Sequence, residues 1–437
     1  MKRILYILVD IIIIYGCILF TFFLLEKNDS LAEFQRNFAA FKIVYPFIGL
    51  FYLVLMYAFG LYNLMRKELF ELFYTVFLVS ISLTIGIMGI CFFVRDVALA
   101  FPRSVILLSA LFYFILLSIW RFLLWFIDIK LHGVKKIFIF GMDRDRLVNV
   151  IETKYAHFYK IEGIENSLDP GIWKKLKSVD CVFVCADVLQ KIRQELVPFC
   201  IKYQKEFFYV PKYFDLSLKS SSLLKTDDIP TFHIPVFGLS PEENFVKRVV
   251  DIFWSFIAFV FFLPFGIIVS LLIKLDGGPI FYTQERLTRN GKVFNIYKFR
   301  TMIPDAEKSS GPVLAGDKDN RITKLGKFLR AVRLDEIPQL FNILKGDMSI
   351  VGPRPERPFF ACQFEKEIPE YRYRLRVKAG LTGLAQVEGK YNTTVEDKLR
   401  YDLIYINTYS VLRDLLIMLQ TVKILFMRGS TEGVNTN

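Results

Sequence analysis

Histidine is nearly absent from this 437-residue chain: there are three, His132, His157 and His233, and none follows. The six cysteines (Cys17, Cys91, Cys181, Cys185, Cys200, Cys362) are scattered, with no C-x-x-C pair and no histidine at metal-ligand spacing. A disulfide framework and a zinc site are therefore not indicated, and reducing, cytoplasm-facing domains are expected. Phosphate-cradling glycine loops are missing too. The run from Gly311 to Lys318 only approaches the Walker spacing, and the turn Gly141-Met-Asp-Arg-Asp-Arg146 offers one glycine where a dinucleotide turn needs three. Beyond Gly238 there is no histidine and a single cysteine, so Ser-His-Asp, Cys-His and histidine-rich metal chemistry are excluded there. What remains is carboxylates with arginine and lysine.

What the chain has in excess is apolar surface. It is 54 % hydrophobic, with 45 Phe and 21 Tyr, and carries a net charge of +13. Disorder is ruled out for most of the chain by that bias, and a wholly soluble protein is not expected. Four segments, about Ile4–Leu25, Ile43–Leu61, Phe70–Val94 and Val105–Ile127, have the roughly 20-residue length that crosses a bilayer as helix. Lys2 and Arg3 precede the first, Arg66 and Lys67 follow the second, and Lys130, Lys135 and Lys136 follow the fourth, against Arg95, Asp96 and Arg103 after the third. This bias places both ends of the block on the cytoplasmic side. No small-residue motif closes the first run as a cleaved signal would.

From Val134 the pattern changes to short apolar runs. Lys135–Gly141 and Asp180–Asp187 each read as a buried strand followed by helix, which suggests a parallel α/β unit ending near Ile229–Pro235. With its glycine-poor, acidic turn, this module is expected to be a degenerate Rossmann-like spacer or oligomerisation element without a cofactor.

Val249–Lys274 is a fifth apolar run. Its basic flanks (Lys247, Arg248, Lys274), Asp251 in the first turn and the Pro264/Gly266 interruption favour a kinked helix that enters one leaflet and returns. Residues 240–437 carry 29 Lys and Arg against 22 Asp and Glu. Beside a membrane, that balance suits anionic substrates or lipid better than nucleic acid. Lys324–Arg333 puts Leu325, Phe328, Leu329 and Val332 on one helical face next to a stripe of Lys324, Lys327, Arg330 and Arg333, as an interfacial or an ordinary surface helix would. Asp335 then stands at an expected N-cap with Pro338 in the first turn, and Arg354 and Arg357 lie in a proline-stiffened turn suited to forked phosphate contacts.

At this point the sequence resembles the bacterial polyprenyl-phosphate phosphoglycosyltransferases, in their long polytopic branch. The matching blocks are Lys247-Arg248-x-x-Asp251 with Pro264, Gly278-Pro279 through Gln284-Glu285-Arg286, and Gly291-Lys-Val-Phe294 to Tyr297-Lys298-Phe-Arg300-Thr-Met302. They continue with Leu334-Asp335-Glu336-Ile-Pro338-Gln339-Leu-Phe-Asn342, Gly346-Asp347 to Gly352-Pro-Arg354-Pro, Lys378-Ala-Gly380-Leu-Thr-Gly383, and the pair Asp402 and Asp414. The resemblance implies a membrane protein of mixed α and α/β class: four transmembrane helices (1–130), the degenerate Rossmann-like domain (131–238), and a mainly helical catalytic domain (239–437) on a re-entrant helix at about 247–275. It further implies a transferase of substituted phosphate groups. Sugar 1-phosphate would pass from a nucleotide diphosphate sugar, with a UDP-sugar expected, to undecaprenyl or another polyprenyl phosphate through a phosphosugar held on Asp335. Such a step begins exopolysaccharide, capsule, O-antigen or glycoprotein glycan synthesis.

In that scheme Glu336 is the acid/base or positioning partner. Arg354 and Arg357 grip the diphosphate, with Lys298 and Arg300 second and Arg286, Lys247 and Arg248 as further substrate-binding candidates. Mg²⁺ is the expected cofactor, with Asp335 as ligand and Asp347 as a candidate second one. Asp251, Asp347, Asp402 and Asp414 support the metal or brace the fold. The expected location is the bacterial inner membrane with the catalytic domain on the cytoplasmic face, and a homodimer is left open. Two other readings are weighed: a membrane-anchored nucleotide-sugar dehydratase or epimerase, for which neither the glycine-rich turn nor a Tyr-x-x-x-Lys pair is found, and a non-catalytic scaffold binding anionic lipid through the basic helix.

Overall fold

The computed structural model describes residues 2–28, 30–61, 69–93, 102–142, 144–275, 277–303, 321–389 and 393–425. Arg66, Lys67, Val94, Arg95, Asp96, Asp143 and the Walker-like run at 311–318 lie outside the described residues. The chain divides into two compact units, Met1–Val210 and Pro211–Asn437.

The first unit opens with four apolar helices: α1 (Lys2–Leu25), α2 (Leu31–Ala58), α3 (Leu69–Phe93) and α4 (Arg103–His132). Each is long and apolar enough to cross a membrane. Helix α2 begins twelve residues before its apolar run because Ser30 and Glu33 form a capping box, the Ser30 hydroxyl accepting from the Glu33 amide at 3.3 Å while Glu33 accepts from the Ser30 amide at 3.2 Å. The charged groups buried inside the bundle are paired, as burial in an apolar medium favours. Arg121 donates to the Asp10 carboxylate and, at 3.1 Å, to the Leu61 carbonyl, and the Tyr52 hydroxyl donates to Asp10 at 2.7 Å.

Gly133, at φ +61°, ends α4 and turns the chain into an α/β module. Its strands β1 (Lys135–Phe140), β2 (Tyr159–Glu165), β3 (Cys181–Val184) and β4 (Glu206–Tyr209) form an all-parallel sheet in the order β2-β1-β3-β4. Helices α5 (Asp145–Lys154), α6 (Ile172–Lys177) and α7 (Gln190–Lys202) supply the crossovers. Ile137, Phe138, Ile139 and Phe140 are all buried, the unbroken apolar run of a central strand covered on both faces. At the mouth of the sheet Gly141 has φ +128°, and a Cβ there would lie 2.6 Å from the Asp187 carboxylate. That carboxylate accepts from the Met142 amide at 2.6 Å, so an internal anion takes the amide that a nucleotide phosphate would use in such a turn.

The second unit begins with α8 (Tyr213–Ser217) and the antiparallel hairpin β5 (Ser222–Thr226) and β6 (Ile229–His233). The sequence pattern groups these residues with the α/β module. In the structure Leu216 is in the second unit's core, and Arg400 and Asn407 donate to the carbonyls of Pro211 and Leu216. Helix α9 (Pro241–Leu275) follows as one 35-residue helix with Pro264 inside it. Next come the antiparallel pair β7 (Phe281–Leu287) and β8 (Val293–Phe299), α10 (Lys324–Ala331), a 3-10 turn at Leu334–Glu336, α11 (Gln339–Lys345), β9 (Ser349–Val351) and α12 (Pro358–Glu367). A 3-10 segment Pro369–Arg376, β10 (Gly380–Thr382) parallel to β9, α13 (Leu384–Glu388), α14 (Val395–Asn407) and α15 (Val411–Leu425) complete it. Ile343, Met348, Val351, Leu399, Leu403 and Ile417 form the centre of the core.

Helix α9 is tied into this unit at both ends. Near its start Lys247 pairs with Asp414 at 2.5 Å, Arg248 donates to the Ile343 and Leu344 carbonyls, and Asp251 accepts from Ser349 and the Ile350 amide at 3.0 Å each. Near its end Val269 and Ile273 pack with Phe299 and Leu329. Between these anchors Phe256, Phe261, Phe265 and Ile267 are exposed.

Candidate active site

Two short elements carry the acidic pair to a strand edge. Arg333 adopts φ +54°, breaking the chain out of α10 and into the 3-10 turn that holds Asp335 and Glu336. Asn342, fully buried on α11, fixes that region against β8: it accepts from the Tyr297 amide at 3.0 Å and donates to the Asn295 carbonyl at 2.8 Å. The next residue after Tyr297 is Lys298. Its ammonium lies 2.9 Å from Glu336 Oε1 and 3.9 Å from Asp335 Oδ2. From the other side Arg354 Nη2 reaches the same Glu336 oxygen at 3.3 Å.

The N-cap expected at Asp335 is not what forms. Helix α11 starts one turn later, with Pro338 at its cap position and no side-chain capping bond. The Leu334–Asp335–Glu336 turn is instead set by the left-handed Arg333 and by Leu334 and Ile337, which pack beside Phe299 and Leu329. The amphipathic face read in α10 also splits. Leu329 is buried and Leu325 packs against it, whereas Phe328 and Val332 are exposed.

The two adjacent carboxyls are held in different charge environments. Burial pushes the Asp335 carboxyl upward, opposed by Lys298 and reinforced by the negative Glu336. Burial would raise Glu336 as well, but Lys298 and Arg354 outweigh it and hold that carboxyl well below the usual range. Glu336 is therefore the carboxyl of the two that its surroundings favour as an anion, and it pairs with two cations. Asp335 accepts no hydrogen bond among the described residues, which leaves its oxygens available to an electrophile.

Arg354 sits on a turn whose backbone is almost wholly committed. Four successive carbonyls are bonded: Pro353 from the Gly380 amide at 2.8 Å, Arg354 from Arg374 at 2.9 Å, Pro355 from Arg286 at 3.1 Å and Glu356 from the Leu287 amide at 2.9 Å. A Cβ on Gly380 would come within 2.1 Å of the Gly352 nitrogen, so the approach of β10 to this turn requires glycine.

Of the residues singled out in the sequence, the structure thus gathers Asp335, Glu336, Lys298 and Arg354. It places the others elsewhere. Arg286 braces the 353–356 turn and lies 3.9 Å from Glu356. Arg357 stands over the Phe360 ring, and Arg300 is buried with one nitrogen on the Ile273 carbonyl. Lys247 and Arg248 are engaged as described, and Asp402 pairs with Arg374 at 2.8 Å. Asp347 lies beyond the far end of α11, about 10 Å of helix from the dyad, and pairs with Lys345 at 3.0 Å. Nothing in the sequence marks Arg374, which sits in a run, Tyr371-Arg-Tyr-Arg-Leu-Arg376, that reads as solvated surface.

Among the described residues no three of His, Cys, Asp and Glu stand close enough to enclose a metal ion. Asp335 and Glu336 alone offer a two-carboxylate set. That suits Mg²⁺, which keeps several waters and completes its shell with substrate phosphate. Two adjacent carboxyls with a lysine beside both and an arginine on the second form a site whose cations suit an anionic phosphate group.

Residues 242–428 match the family model for bacterial sugar transferases. Over 188 residues the chain is 43 % identical to the UDP-N-acetylgalactosamine-undecaprenyl-phosphate N-acetylgalactosaminephosphotransferase of Aeromonas hydrophila, covering 42 % of this chain and 44 % of that protein. Over 200 residues it is 35 % identical to the undecaprenyl-phosphate galactose phosphotransferase of Salmonella typhimurium, covering 43 % and 41 %. Over 193 residues it is 38 % identical to the exopolysaccharide production protein PSS of Rhizobium leguminosarum bv. phaseoli, covering 42 % and 96 %. The match spans less than half the length of the first two relatives and nearly all of the third. The chain belongs to the bacterial sugar transferase family.

Proposed function

We propose that this protein transfers a sugar 1-phosphate from a nucleotide diphosphate sugar, most simply a UDP-sugar, to undecaprenyl phosphate at the cytoplasmic face of a bacterial inner membrane. The observation that carries the reading is the Asp335–Glu336 dyad held between Lys298 and Arg354 within the segment that matches the family. In the first step an Asp335 oxygen bonds to the sugar-bearing phosphorus. The bond from that phosphorus to the bridging oxygen breaks, and nucleoside monophosphate leaves with the electron pair. In the second step an oxygen of the lipid phosphate bonds to the same phosphorus, the acyl phosphate bond breaks, and the Asp335 carboxylate is restored.

Each bond broken and formed is a phosphoanhydride or acyl phosphate bond, so no further energy source is needed. Lys298 and Arg354 offset the repulsion between the attacking carboxylate and the diphosphate. Glu336 keeps those two cations in place. When bound, Mg²⁺ held by Asp335 and Glu336 would neutralise further phosphate charge.

Helix α9 fits a re-entrant anchor. A straight 35-residue helix is about 52 Å long, yet its two ends bond to the same compact unit while its apolar middle is exposed. Dipping that middle into one leaflet covers it and brings a lipid phosphate to the level of the dyad. The four N-terminal helices span the membrane in this reading, and the α/β module, its turn already occupied by Asp187, serves without a cofactor.

The test is release of UMP by protein in lipid nanodiscs supplied with undecaprenyl phosphate and a panel of UDP-sugars. A sugar-labelled donor should leave label on the wild-type chain in the absence of lipid acceptor, and Asp335→Asn should abolish both label and turnover. Turnover surviving in Asp335→Asn would refute the assignment.

A further inference from the structure

Arg374 is buried, and each of its three guanidinium nitrogens has a partner. Its Nε and Nη2 meet Asp402 Oδ2 at 2.9 and 2.8 Å, its Nη1 donates to the Tyr371 hydroxyl at 2.6 Å, and Nη2 also donates to the Arg354 carbonyl at 2.9 Å. Arg374 and Asp402 are 6 % and 2 % exposed, so the pair is screened from water and substrate alike. One guanidinium thus joins the fold's interior to the backbone of the residue whose side chain reaches Glu336. The fork geometry matters, because a planar, multiply donating group can place two N–H groups on one carboxylate oxygen and still reach a carbonyl and a hydroxyl.

We propose that Arg374, oriented by Asp402, is a positioning residue for the transfer reaction: it holds the 353–356 turn so that Arg354 meets Glu336 and the incoming diphosphate. This rests on the reading of the dyad as the reacting site. Arg374 touches no substrate and acts through Arg354.

The experiment compares Arg374→Lys, Arg354→Ala and the double variant in lipid nanodiscs, together with a structure of Arg374→Lys. Lysine keeps the charge that Asp402 needs, so the fold is retained, but it cannot make both contacts. Arg374→Lys should lower kcat/KM on the order of 10–100-fold. In the Arg354→Ala background it should cost less than about twofold, because the contact through which it acts is already gone. The thermal midpoint of Arg374→Lys should stay near that of wild type, and its structure should show Arg354 withdrawn from Glu336. Should the lysine variant fail to fold, Tyr371→Phe, which removes one bond to Arg374 and no charge, replaces it in the same cycle.

Equal losses in both backgrounds would overturn the proposal, as would a variant structure that keeps Arg354 at its 3.3 Å contact. A wild-type protein that turns over no nucleotide sugar would instead refute the transferase reading, and the variant structure would still decide whether Arg374 positions Arg354.

Discussion

The pair Lys247–Asp414 separates two roles for a residue that the sequence nominates as substrate-binding. Their side chains are 6 % and 4 % exposed and 2.5 Å apart, with the Tyr405 hydroxyl donating to the other Asp414 oxygen at 2.8 Å and the Tyr405 and Tyr409 rings within 5.8 and 5.4 Å of the ammonium. Removing one partner of such a pair strands a charge out of water, which costs about 3–5 kcal/mol, whereas replacing both with apolar groups of similar volume is about neutral. For a unit of this size each kcal/mol moves Tm by about 2–4 °C. Asp414→Leu should therefore lower Tm by roughly 6–20 °C, and Lys247→Met/Asp414→Leu should recover most of that loss. Differential scanning fluorimetry in detergent gives the midpoints, and UMP release gives the activity. A brace predicts a double variant that is both stable and active. A stable but inactive double variant would refute the structural role and return Lys247 to the substrate.

Three further outcomes follow from the same geometry. Because burial raises the Asp335 carboxyl and, in the proposed mechanism, only its anion attacks, the rate should fall as pH drops through a value above the ordinary aspartate range; Glu336→Gln removes the neighbouring like charge, so its acid limb in a kcat–pH profile should move to lower pH while kcat falls on the order of 10²–10⁴-fold. Gly380→Ala should abolish transfer, since its Cβ would sit 2.1 Å from the Gly352 nitrogen and displace the Arg354 turn; wild-type kinetics would contradict this. In a Cys362→Ser background, Phe245→Cys and Leu275→Cys, exposed near the two ends of α9, should both react with an impermeant maleimide from the cytoplasmic side of oriented vesicles. Labelling from opposite sides would show that the helix crosses.

Much of the fold was legible because its signals are local. Apolar runs of helical length announced the N-terminal helices, and the alternation of short buried runs with helical stretches announced the parallel sheet. Helix α2 starts a dozen residues before its apolar run because a capping box between Ser30 and Glu33 outweighs hydropathy as a helix start signal. The α10 face is one stripe by sequence period, but burial is decided by what packs on it: Leu329 lies in a cluster with Phe299 and Val269, whereas Phe328 is exposed.

Within the site the division is the same. Composition and elimination alone led to carboxylates served by arginine and lysine, because with no histidine beyond His233 little else there can carry the chemistry. They did not distinguish which cations reach the dyad. Lys298, Arg300, Arg286, Arg354, Arg357, Lys247 and Arg248 are alike in charge along the chain. Tertiary packing sends two of them to Glu336 and turns Arg286, Arg248, Lys247 and Arg300 inward to carbonyls and a buried carboxylate. Sequence thus determines which chemical groups are available and roughly where the chain meets the membrane, since both depend on residue type and short-range period. Which cation faces the acidic pair, and which is spent on holding the scaffold, depends on contacts between residues far apart in sequence, 167 positions for Lys247 and Asp414, and only the folded chain sets those distances.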